Sequence, residues 1–598
     1  MTVVQGVGIA AVTAVVLSAS LTRLLVRFSF RLRLMAQPRL DRWHRRPTPN
    51  TGGIAILVAA ALAYVAVLPA HYGPIVVAAV FVALLGFLDD RIQLKPSIKF
   101  AGQSLAALAV IASGVVFRAT PWEPLNYALS FLWIVGITNA FNLIDNMDGL
   151  CAGVAVIISG FRCWFAIQNG DAACALIMAV LGGSFLGFLV FNYSPAKIFM
   201  GDCGSMFAGF LLSALAIASP VPRTRVVLSA LFYPALTFLY PIFDTMLVSV
   251  MRRAAGRPVS VGGRDHSSHR LVSLGLSERR VVWLLWALTA LGSATGLATY
   301  ALPFGVLAIT ALLIVGATMF GIFLGTLPNY GLPESAPVRT IEFRRVIPSL
   351  RACVTLLVDV LLAGVALLCA SLVRWEDSFS GRPLDLFLLS LPIVMGSQAM
   401  AGLVFRSFNL GWRWFGFRDL FVLGKCVLAG SAVSMFLVWL LGMRDYSRGV
   451  VLIYMFLVFG LMAGLRVSLW FFWQTLGQSR GSRKAAVLGA DVAGEILVLV
   501  LQRDIKMRAH PVLVLDSDPA SQYTRVHGVP VRHAGDDSPE ILRRSGVEVL
   551  VVPADAMQSA AKFAIIAACR RAGFPVEQYE LSTRPLPEQQ TAALAASA

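Results

Sequence analysis

Long apolar segments alternate with short polar loops along most of the chain, a pattern typical of a protein that crosses a membrane many times. A helix needs about 20 apolar residues to cross the hydrocarbon core, and on that basis we count about fifteen spanning segments. About eleven fall between residues 7 and 324, and about four between residues 352 and 473. Arg23 and Arg27 follow the first apolar run, which favours an anchor helix with its N-terminus outside over a cleaved signal peptide.

Basic residues concentrate in loops that fall on one side of the membrane when the spans are counted alternately. These loops are residues 31–46, 252–270, 339–351 and 406–418. The positive-inside rule makes that side cytoplasmic. The polar clusters described below fall on the same side, so we expect a cytoplasmic active site and a cytoplasmic C-terminal domain.

Composition agrees with the pattern, because 57% hydrophobic and only 14% charged residues exclude an ordinary soluble globule. The formal net charge of +18 then reflects topology and contact with anionic membrane lipids. The sequence has no clustered basic face with interleaved aromatic residues, so we expect no nucleic-acid partner. The eight cysteines form no Cys-x-x-Cys pair, so we expect neither a disulfide framework nor a zinc site.

The last part of the chain has ordinary soluble composition. Residues 483–494 predict strand, turn and helix, and Gly489 and Gly494 bring the turn close to a dinucleotide-binding fingerprint. Asp516 ends the next predicted strand, roughly where a ribose-binding carboxylate belongs. Asp491, however, replaces the middle glycine and puts bulk and negative charge where a pyrophosphate would lie. We therefore predict a Rossmann-like fold that does not bind NAD.

These patterns together predict a polytopic α-helical membrane protein of about 15 transmembrane helices, with a C-terminal cytoplasmic α/β domain of Rossmann-like fold. The predicted parts are a first membrane domain (1–326), a cytoplasmic linker (327–351), a four-helix membrane bundle (352–476), the Rossmann-like domain (481–581) and a disordered tail (582–598).

Two adjacent carboxylates, Asp89 and Asp90, close an apolar segment at the predicted cytoplasmic edge. Such a pair can share a hard cation, since Mg²⁺ usually takes one or two carboxylates together with substrate phosphate. Lys99 follows in the same loop and could hold a phosphate. The alternative is that these charges only solubilise the end of a helix.

A second cluster contains Asn142, Asp145 and Asp148, whose spacing of i, i+3 and i+6 predicts one face of a helix. Gly149 then predicts the end of that helix. Carboxylates close to lipid cost about 2.5–3.5 kcal/mol on insertion scales, so we interpret this face as functional.

The third cluster is the most informative, because charged Lys197 and Asp202 lie among turn-forming residues between two segments apolar enough to span a membrane. Gly201 and Gly204 allow a tight turn and a close approach to a ligand. Asp202 begins the next apolar helix, whose N-terminal amides could bind phosphate. Alternatively, Asp202 is an ordinary helix cap.

A loop further along the chain combines Arg264, His266, His269 and Arg270 within seven residues. Arginine can bind phosphate through two parallel hydrogen bonds, and histidine can donate or accept a proton. We interpret the loop as an anion-binding arm, so the four clusters together indicate a metal and phosphate site at one membrane face.

The ordered motifs Gly-x-x-Asp-Asp-Arg, Asn-x-x-Asp-x-x-Asp-Gly-Leu, Met-Gly-Asp-x-Gly-Ser and the late histidine loop resemble those of the polyprenyl-phosphate N-acetylhexosamine-1-phosphate transferases, the MraY/WecA family. The resemblance covers residues 1–326, and the loop around His44 also resembles the family's first cytoplasmic loop. It implies transfer of a sugar-1-phosphate, by default N-acetylglucosamine-1-phosphate, from a UDP-sugar to undecaprenyl phosphate, with release of UMP, at a bacterial inner (plasma) membrane.

The same resemblance implies roles for individual residues. The implied catalytic residues are Asp89, Asp90, Asp202, His266 and His269, and Asp202 and Asp89 are the implied ligands of Mg²⁺, with Mn²⁺ as an alternative. The implied substrate-binding residues are Asn142, Asp145, Asp148, Phe199 (stacked on uracil), Lys99, Lys197, Arg264, Arg270 and His44. The loop departs from the family pattern, since Ser267 and Ser268 separate its two histidines.

The second half of the chain resembles the membrane part and the first Rossmann-like part of CapD-type nucleotide-sugar dehydratases and epimerases. No Tyr-x-x-x-Lys catalytic pair occurs after Gly481, so we expect a regulatory, docking or oligomerising module in place of a second enzyme. Homodimerisation and contacts with other glycan-pathway enzymes are left open. The alternatives for the whole chain are an intramembrane Mg-dependent prenyltransferase, a lipid-linked sugar flippase and a catalytically inactive scaffold.

Overall fold

A computed structural model describes most of the chain. The described ranges are 2–29, 35–36, 47–65, 72–218, 233–254, 263–298, 340–375, 379–410, 416–476, 483–503 and 509–579, without residues 119, 264, 444, 523 and 536 and with a few scattered positions between 310 and 324. The predicted disordered tail, 582–598, lies outside them. Contacts divide the chain into two compact units, Met1–Phe471 and Phe472–Ala598. The finer boundaries predicted at 326 and 351 stay predictions.

The first unit begins with eleven described helices and two short strands that pair antiparallel. In chain order they are α1 (Val3–Ser29), β1 (Met35–Ala36), β2 (Thr48–Pro49), α2 (Gly52–Val65), α3 (Gly73–Ile92), α4 (Pro96–Ala112), α5 (Glu123–Ile144), α6 (Leu150–Gln168), α7 (Ala172–Asn192), α8 (Gly201–Ala218), α9 (Leu239–Ala254), α10 (Ser267–Ser273) and α11 (Glu278–Ala298).

Four long helices complete the first unit. They are α12 (Thr340–Trp375), α13 (Arg382–Val404), α14 (Phe417–Leu440) and α15 (Arg448–Leu476), and they match the four spans predicted for this part of the sequence. Within the described ranges ten helices are long and apolar enough to span a membrane, which confirms the polytopic helical class. The sequence also predicts spanning segments that reach residue 324. Most of residues 299–324 lie outside the described ranges.

Glycines allow α2, α3 and α8 to meet closely at one end of the unit. A Cβ atom on Gly86 of α3 would lie 2.6 Å from the carbonyl carbon of Asp202. A Cβ atom on Gly53 of α2 would lie 2.9 Å from the Cα atom of Gly204. Because neither position has room for a side chain, the backbone of α8 begins directly beside the ends of α2 and α3. This contact brings the acidic end of α3 to Asp202.

A buried ion pair links two helices of the bundle α12–α15. The Arg466 Nη2 atom lies 2.8 Å from Asp359 Oδ2, and the two side chains are only 2% and 5% exposed. Ser407 donates a further hydrogen bond to the same carboxylate oxygen, at 3.2 Å. Removing one member of such a pair leaves the other charge buried without compensation.

We therefore expect Asp359→Ala to destabilise the protein by about 3–5 kcal/mol. The measurement is the thermal unfolding midpoint in detergent by scanning fluorimetry. Asp445→Ala is the matched control, because it breaks the Arg382–Asp445 pair, whose side chains are 70% and 69% exposed and whose loss should have little effect. Equal midpoints for the two variants would show that the buried pair contributes no stability.

The second unit contains a six-stranded sheet with helices between its strands. Its elements are β3 (Arg483–Leu488), α16 (Val492–Arg503), β4 (Ala509–Asp516), β5 (Arg525–Val526), β6 (Val529–His533), α17 (Ser538–Arg544), β7 (Val549–Pro553), α18 (Ala560–Arg571) and β8 (Val576–Tyr579). The strand order is β5-β6-β4-β3-β7-β8, and every neighbouring pair is parallel except β5 and β6.

The central strand β3 is buried on both faces of this sheet. Ala485 and Val487 pack with α16 in one apolar cluster, whereas Ala486 and Leu488 pack with α18 in another. This two-residue alternation between the faces is what a parallel strand covered by helices requires. The predicted α/β class of the C-terminal domain is thereby confirmed.

Candidate active site

A cavity of about 230 Å³ opens where the acidic clusters of the first unit meet. It lies among the ends of α3 and α5 and the beginnings of α8, α10 and α11. Eight residues predicted from the sequence line it, namely Asp90, Asn142, Asp145, Asp148, Phe199, Asp202, His266 and His269. Residues from four separate motifs, up to 179 positions apart (90 to 269), therefore share one site.

Lys99 connects the acid pair of α3 with the aspartate of α8. Its Nζ atom lies 2.9 Å from Asp89 Oδ2 and 3.0 Å from Asp202 Oδ2. The backbone amide of Leu94 donates to the other oxygen of Asp89, at 2.7 Å. Asp202 lines the cavity, whereas Asp89 and Lys99 are not among the lining residues. The ammonium group of Lys99 lies between the two carboxylates and lowers their mutual repulsion.

Asp90 holds the beginning of α8. Its carboxylate accepts hydrogen bonds from the backbone amides of Asp202, at 3.0 Å, and Cys203, at 3.1 Å. Asn50 donates a third, at 2.9 Å. The prediction that N-terminal amides of α8 bind phosphate is wrong for these two groups, because Asp90 already occupies them. Asp90 satisfies amides that the helix itself cannot pair.

The cluster of Asn142, Asp145 and Asp148 does not have the predicted helical geometry. Helix α5 ends at Ile144, so only Asn142 is helical, and Asp145 and Asp148 follow in a turn. Gly149, with φ of 77°, is the N-cap residue that precedes α6, and it does not end α5 as predicted.

Hydrogen bonds to other elements hold this turn. Asp148 accepts from the amide of Ala196, at 2.8 Å, and the amide of Gly149 donates to the Asn192 side chain, at 3.0 Å. Local spacing suggested a helix, but tertiary contacts favour the turn. All three predicted side chains nevertheless line the cavity.

The backbone of Phe199 is held between β2 and α2. Its amide donates to the carbonyl of Pro49, at 2.8 Å, and its carbonyl accepts from Gly52, at 2.9 Å. Phe199 lines the cavity, and a flat base could stack on an aromatic ring there. Lys197, two residues earlier, is exposed and is not among the lining residues, so the structure does not bring it to the site.

The histidine loop, residues 265–270, is buried against α9. The His266 Nδ1 atom lies 2.8 Å from the Oδ2 atom of Asp244, and Ser267 donates its amide and its hydroxyl to the Oδ1 atom. The two histidine rings are 6.0 Å apart between centroids, and both line the cavity. The two histidines therefore line the same cavity as residues of the three acid clusters.

Arg270 is not placed as an anion-binding side chain. It is 2% exposed, and it donates to the carbonyl oxygens of Asp265, at 3.0 Å, and Leu324, at 2.9 Å. These bonds tie the loop to its surroundings and leave Arg270 outside the cavity lining. His44 and Arg264, two further predicted substrate-binding residues, lie outside the described residues.

Sequence reasoning missed several residues of the site. Asp244 is fully buried in α9 and holds the histidine loop; a carboxylate inside an apolar segment was the signal that could have identified it. Four polar residues that line the cavity were missed as well, namely Asn50, Asn146, Asn192 and Glu278. Their local sequence carries no comparable signal, since the asparagines are uncharged and Glu278 begins a helix, where acids are common.

The lining of the cavity suits a hard cation. Five carboxylates and four side-chain amides supply oxygen atoms, and Mg²⁺ prefers oxygen ligands. Among the described residues, no three His, Cys, Asp or Glu side chains converge on one point as a ready metal site. Magnesium does not require such a cage, because it commonly uses one or two carboxylates together with phosphate oxygens. The donor set therefore fits the ion.

In the second unit, Asp491 occupies the position that the sequence analysis identified as unfavourable for a pyrophosphate. Its carboxylate accepts from the amide of Gly494, at 3.0 Å, and forms an ion pair with Lys562. Partial burial raises the pKa of Asp491, but the hydrogen bonds from Lys562 and Gly494 outweigh it and leave the pKa below the usual value.

The predicted glycines are used for packing at this edge of the sheet. Gly489 has φ of 103°, and a Cβ atom on Gly494 would lie 2.7 Å from the carbonyl carbon of Gly489. Asp516 ends β4 as predicted, and one of its oxygens accepts from the amide of Asp518, at 3.3 Å. Asp491 and Lys562 thus fill the edge at which a dinucleotide phosphate would lie in this fold.

The helical membrane unit and its acidic, histidine-containing cavity define an integral membrane enzyme with an attached α/β domain. Residues 72–220 match the family described as "Glycosyl transferase family 4", and residues 416–567 match one described as "CoA-binding domain". The chain belongs to glycosyl transferase family 4, as the sequence resemblance predicted.

Curated relatives support this membership. A probable undecaprenyl-phosphate N-acetylglucosaminyl 1-phosphate transferase of Bacillus subtilis is 34% identical over 44% of this chain and 77% of its own length. A decaprenyl-phosphate N-acetylglucosaminephosphotransferase of Mycobacterium leprae is 33% identical over 47% of this chain and 82% of its own length. A phospho-N-acetylmuramoyl-pentapeptide-transferase of Desulforamulus reducens is 31% identical over 48% and 93%.

Proposed function

We propose that the protein transfers N-acetylhexosamine-1-phosphate from a UDP-sugar to undecaprenyl phosphate, releases UMP and so starts a lipid-linked glycan. The observation that carries this proposal is the single cavity in which Asp202, Phe199 and the two histidines of the loop meet. The relatives, an undecaprenyl-phosphate N-acetylglucosaminyl 1-phosphate transferase and a decaprenyl-phosphate N-acetylglucosaminephosphotransferase, support a polyprenyl-phosphate acceptor and a donor of N-acetylated sugar phosphate.

In the proposed reaction an oxygen of the lipid phosphate attacks the phosphorus atom that carries the sugar. The bond from that phosphorus to the oxygen bridging the two phosphates breaks, and UMP leaves with the electron pair. A phosphate monoester with a second pKa near ~6 is mostly dianionic at pH 7, so a general base would add little. Neutralising the charge of two approaching phosphates is the larger task.

Several residues of the site contribute to neutralising the charge of the two phosphates. Asp202 and Asp89 would hold Mg²⁺, or Mn²⁺, which when bound supplies positive charge to the diphosphate. Lys99 lies between the same two carboxylates and limits their repulsion before substrate binds. His266 and His269 of the histidine loop line the same cavity and could form hydrogen bonds with the substrates.

The donor nucleotide has a suitable surface in the same cavity. We infer that uracil stacks on Phe199 and that Asn142, Asp145 and Asp148 contact the rest of the nucleotide. Hydroxyl and imide groups of uridine need acceptors, and these carboxylates supply them within the cavity. We place this site on the cytoplasmic side of a bacterial inner membrane, in accordance with the basic loops.

For the second unit we propose a regulatory or docking role without NAD chemistry. The ion pair between Asp491 and Lys562 supports this proposal, since it fills the phosphate edge of the fold. Micromolar binding of NAD(H) or a UDP-sugar at that edge in the full-length protein would overturn it.

The proposed reaction predicts UMP release by detergent-purified protein that needs undecaprenyl phosphate, one UDP-sugar and a divalent cation together. A panel of UDP-sugars identifies the donor, and EDTA should abolish release, because the acidic cavity repels a diphosphate without a cation. Excess Mg²⁺ should restore it.

Omission of each component in turn is the control. No release with any sugar, from protein with a sharp unfolding transition, would contradict the proposal and favour a scaffold or flippase. Transfer of a prenyl group to an aromatic acceptor would instead favour the prenyltransferase alternative.

A further inference from the structure

Asp244 is a buried carboxylate whose hydrogen bonds converge on the histidine loop. It lies on α9 with 0% exposure. One oxygen faces His266 Nδ1 at 2.8 Å, and the other accepts from the Ser267 amide at 2.8 Å and the Ser267 hydroxyl at 2.5 Å. A group that receives three hydrogen bonds from two consecutive residues fixes both the position of their backbone and the direction of the ring.

We propose that Asp244 is a positioning residue that orients His266 so that its Nε2 atom faces the substrates and can accept a hydrogen bond from them. This proposal rests on the proposed function. An ionised carboxylate can only accept hydrogen bonds, so the Nδ1 atom of His266 must carry the proton and donate the hydrogen bond to Asp244. His266 lines the cavity, and its Nε2 atom is therefore the ring nitrogen left for substrate.

The two serines that separate the histidines support the same interpretation. Ser267 is bound to Asp244, and Ser268 donates to the Asn146 side chain on the turn after α5, at 2.8 Å. An ion pair of 3.1 Å between Arg252 and Asp265 secures the beginning of the loop. The serines thus hold the loop against α9 and against the turn after α5, which lines the cavity, and leave contact with substrate to the histidines.

The first test is Asp244→Asn, which keeps the shape of the side chain and removes its charge. The asparagine amide can donate to Nδ1, which would move the ring proton to Nε2 and misdirect the hydrogen bonds of His266. We expect kcat for UMP release to fall about 10²-fold, as for other residues that orient a catalytic group, while KM for the donor changes less than about 3-fold.

A double-mutant cycle with His266→Ala separates positioning from a general loss of structure. If Asp244 acts through His266, Asp244→Asn should cost little activity once His266 is absent. An equal loss in both backgrounds, or an unchanged kcat, would overturn the proposal. Asp171→Asn is the matched control, because Asp171 caps α7 and bonds to Tyr72 away from the cavity, and it should keep wild-type kcat.

The tautomer of His266 can be read directly in the wild-type protein. With ¹⁵N-labelled histidine, and His266→Gln to assign the signal, we expect a protonated and hydrogen-bonded Nδ1. An unprotonated Nδ1 would refute the positioning role even if Asp244→Asn failed to fold. Absence of UMP release from the wild type would contradict the proposed reaction instead, and the NMR result would still decide the geometry.

Discussion

UMP release by the Asp202→Asn variant is expected to fall about 10³-fold or more relative to the wild type. Asp202 lines the cavity, and its Oδ2 atom lies 3.0 Å from Lys99 Nζ, so asparagine preserves the volume of the side chain while removing the charge. A neutral amide lacks the negative charge with which a carboxylate holds the cation, and it cannot balance the ammonium group beside it. The measurement is the initial rate at saturating donor and lipid acceptor.

A matched control distinguishes this chemical effect from damage to a membrane helix. Asp419→Asn makes the same replacement at the beginning of α14, where the Asp419 side chain accepts from the amide of Gly416 at 2.9 Å, in the helical bundle α12–α15. We expect it to retain wild-type rates. Removal of one electrostatic contact usually lowers the rate by more than about 10-fold. If UMP release by Asp202→Asn stayed within about 10-fold of the wild type, this carboxylate would not be a ligand of the cation.

The identity of the site could be predicted from the sequence because each acid cluster breaks an apolar pattern. Asp89, Asp90 and Asp202 are visible in this way, and so are the paired histidines of the loop. Asp244 gives the same signal and could have been found by the same argument. The helical class and the number of helices in the second membrane bundle follow equally from hydropathy.

The geometry of the site could not be predicted, because it depends on pairs distant in sequence. Asp90 binds amides 112 and 113 positions further along the chain, and no local pattern indicates that these helices meet. The turn at Asp145 and Asp148 has the spacing of a helix but is held by the segment around Asn192 and Ala196. Tertiary hydrogen bonds outweigh the weak local preference at both places.

The second unit shows the same division between local and distant information. The sequence alone predicts that Asp491 disfavours a phosphate at this edge of the sheet, since a charged side chain replaces a glycine there. Its partner Lys562 is 71 positions away and became apparent only in the fold. The strand order also required the structure, because alternating strand and helix signals predict a parallel sheet without fixing which strands are neighbours.

Asp90→Ala is expected to lower UMP release about 10²- to 10³-fold and also to lower the thermal unfolding midpoint. The substitution leaves the amides of Asp202 and Cys203 and the side chain of Asn50 without their acceptor. The beginning of α8 would then shift and misplace Asp202. Asp90→Asn keeps one acceptor oxygen, so both its rate and its midpoint should lie between those of the wild type and Asp90→Ala.

The relative rates of Asp90→Asn and Asp90→Ala distinguish a single displacement from a mechanism with a covalent intermediate. If Asp90 were instead a nucleophile that forms an acyl-phosphate, Asp90→Asn would be as inactive as Asp90→Ala whatever its stability. The wild type would also exchange labelled UMP into UDP-sugar without any lipid acceptor. We expect no such exchange, because both oxygens of Asp90 already accept hydrogen bonds from α8. Exchange without lipid would contradict the single displacement and assign the attacking role to this carboxylate pair.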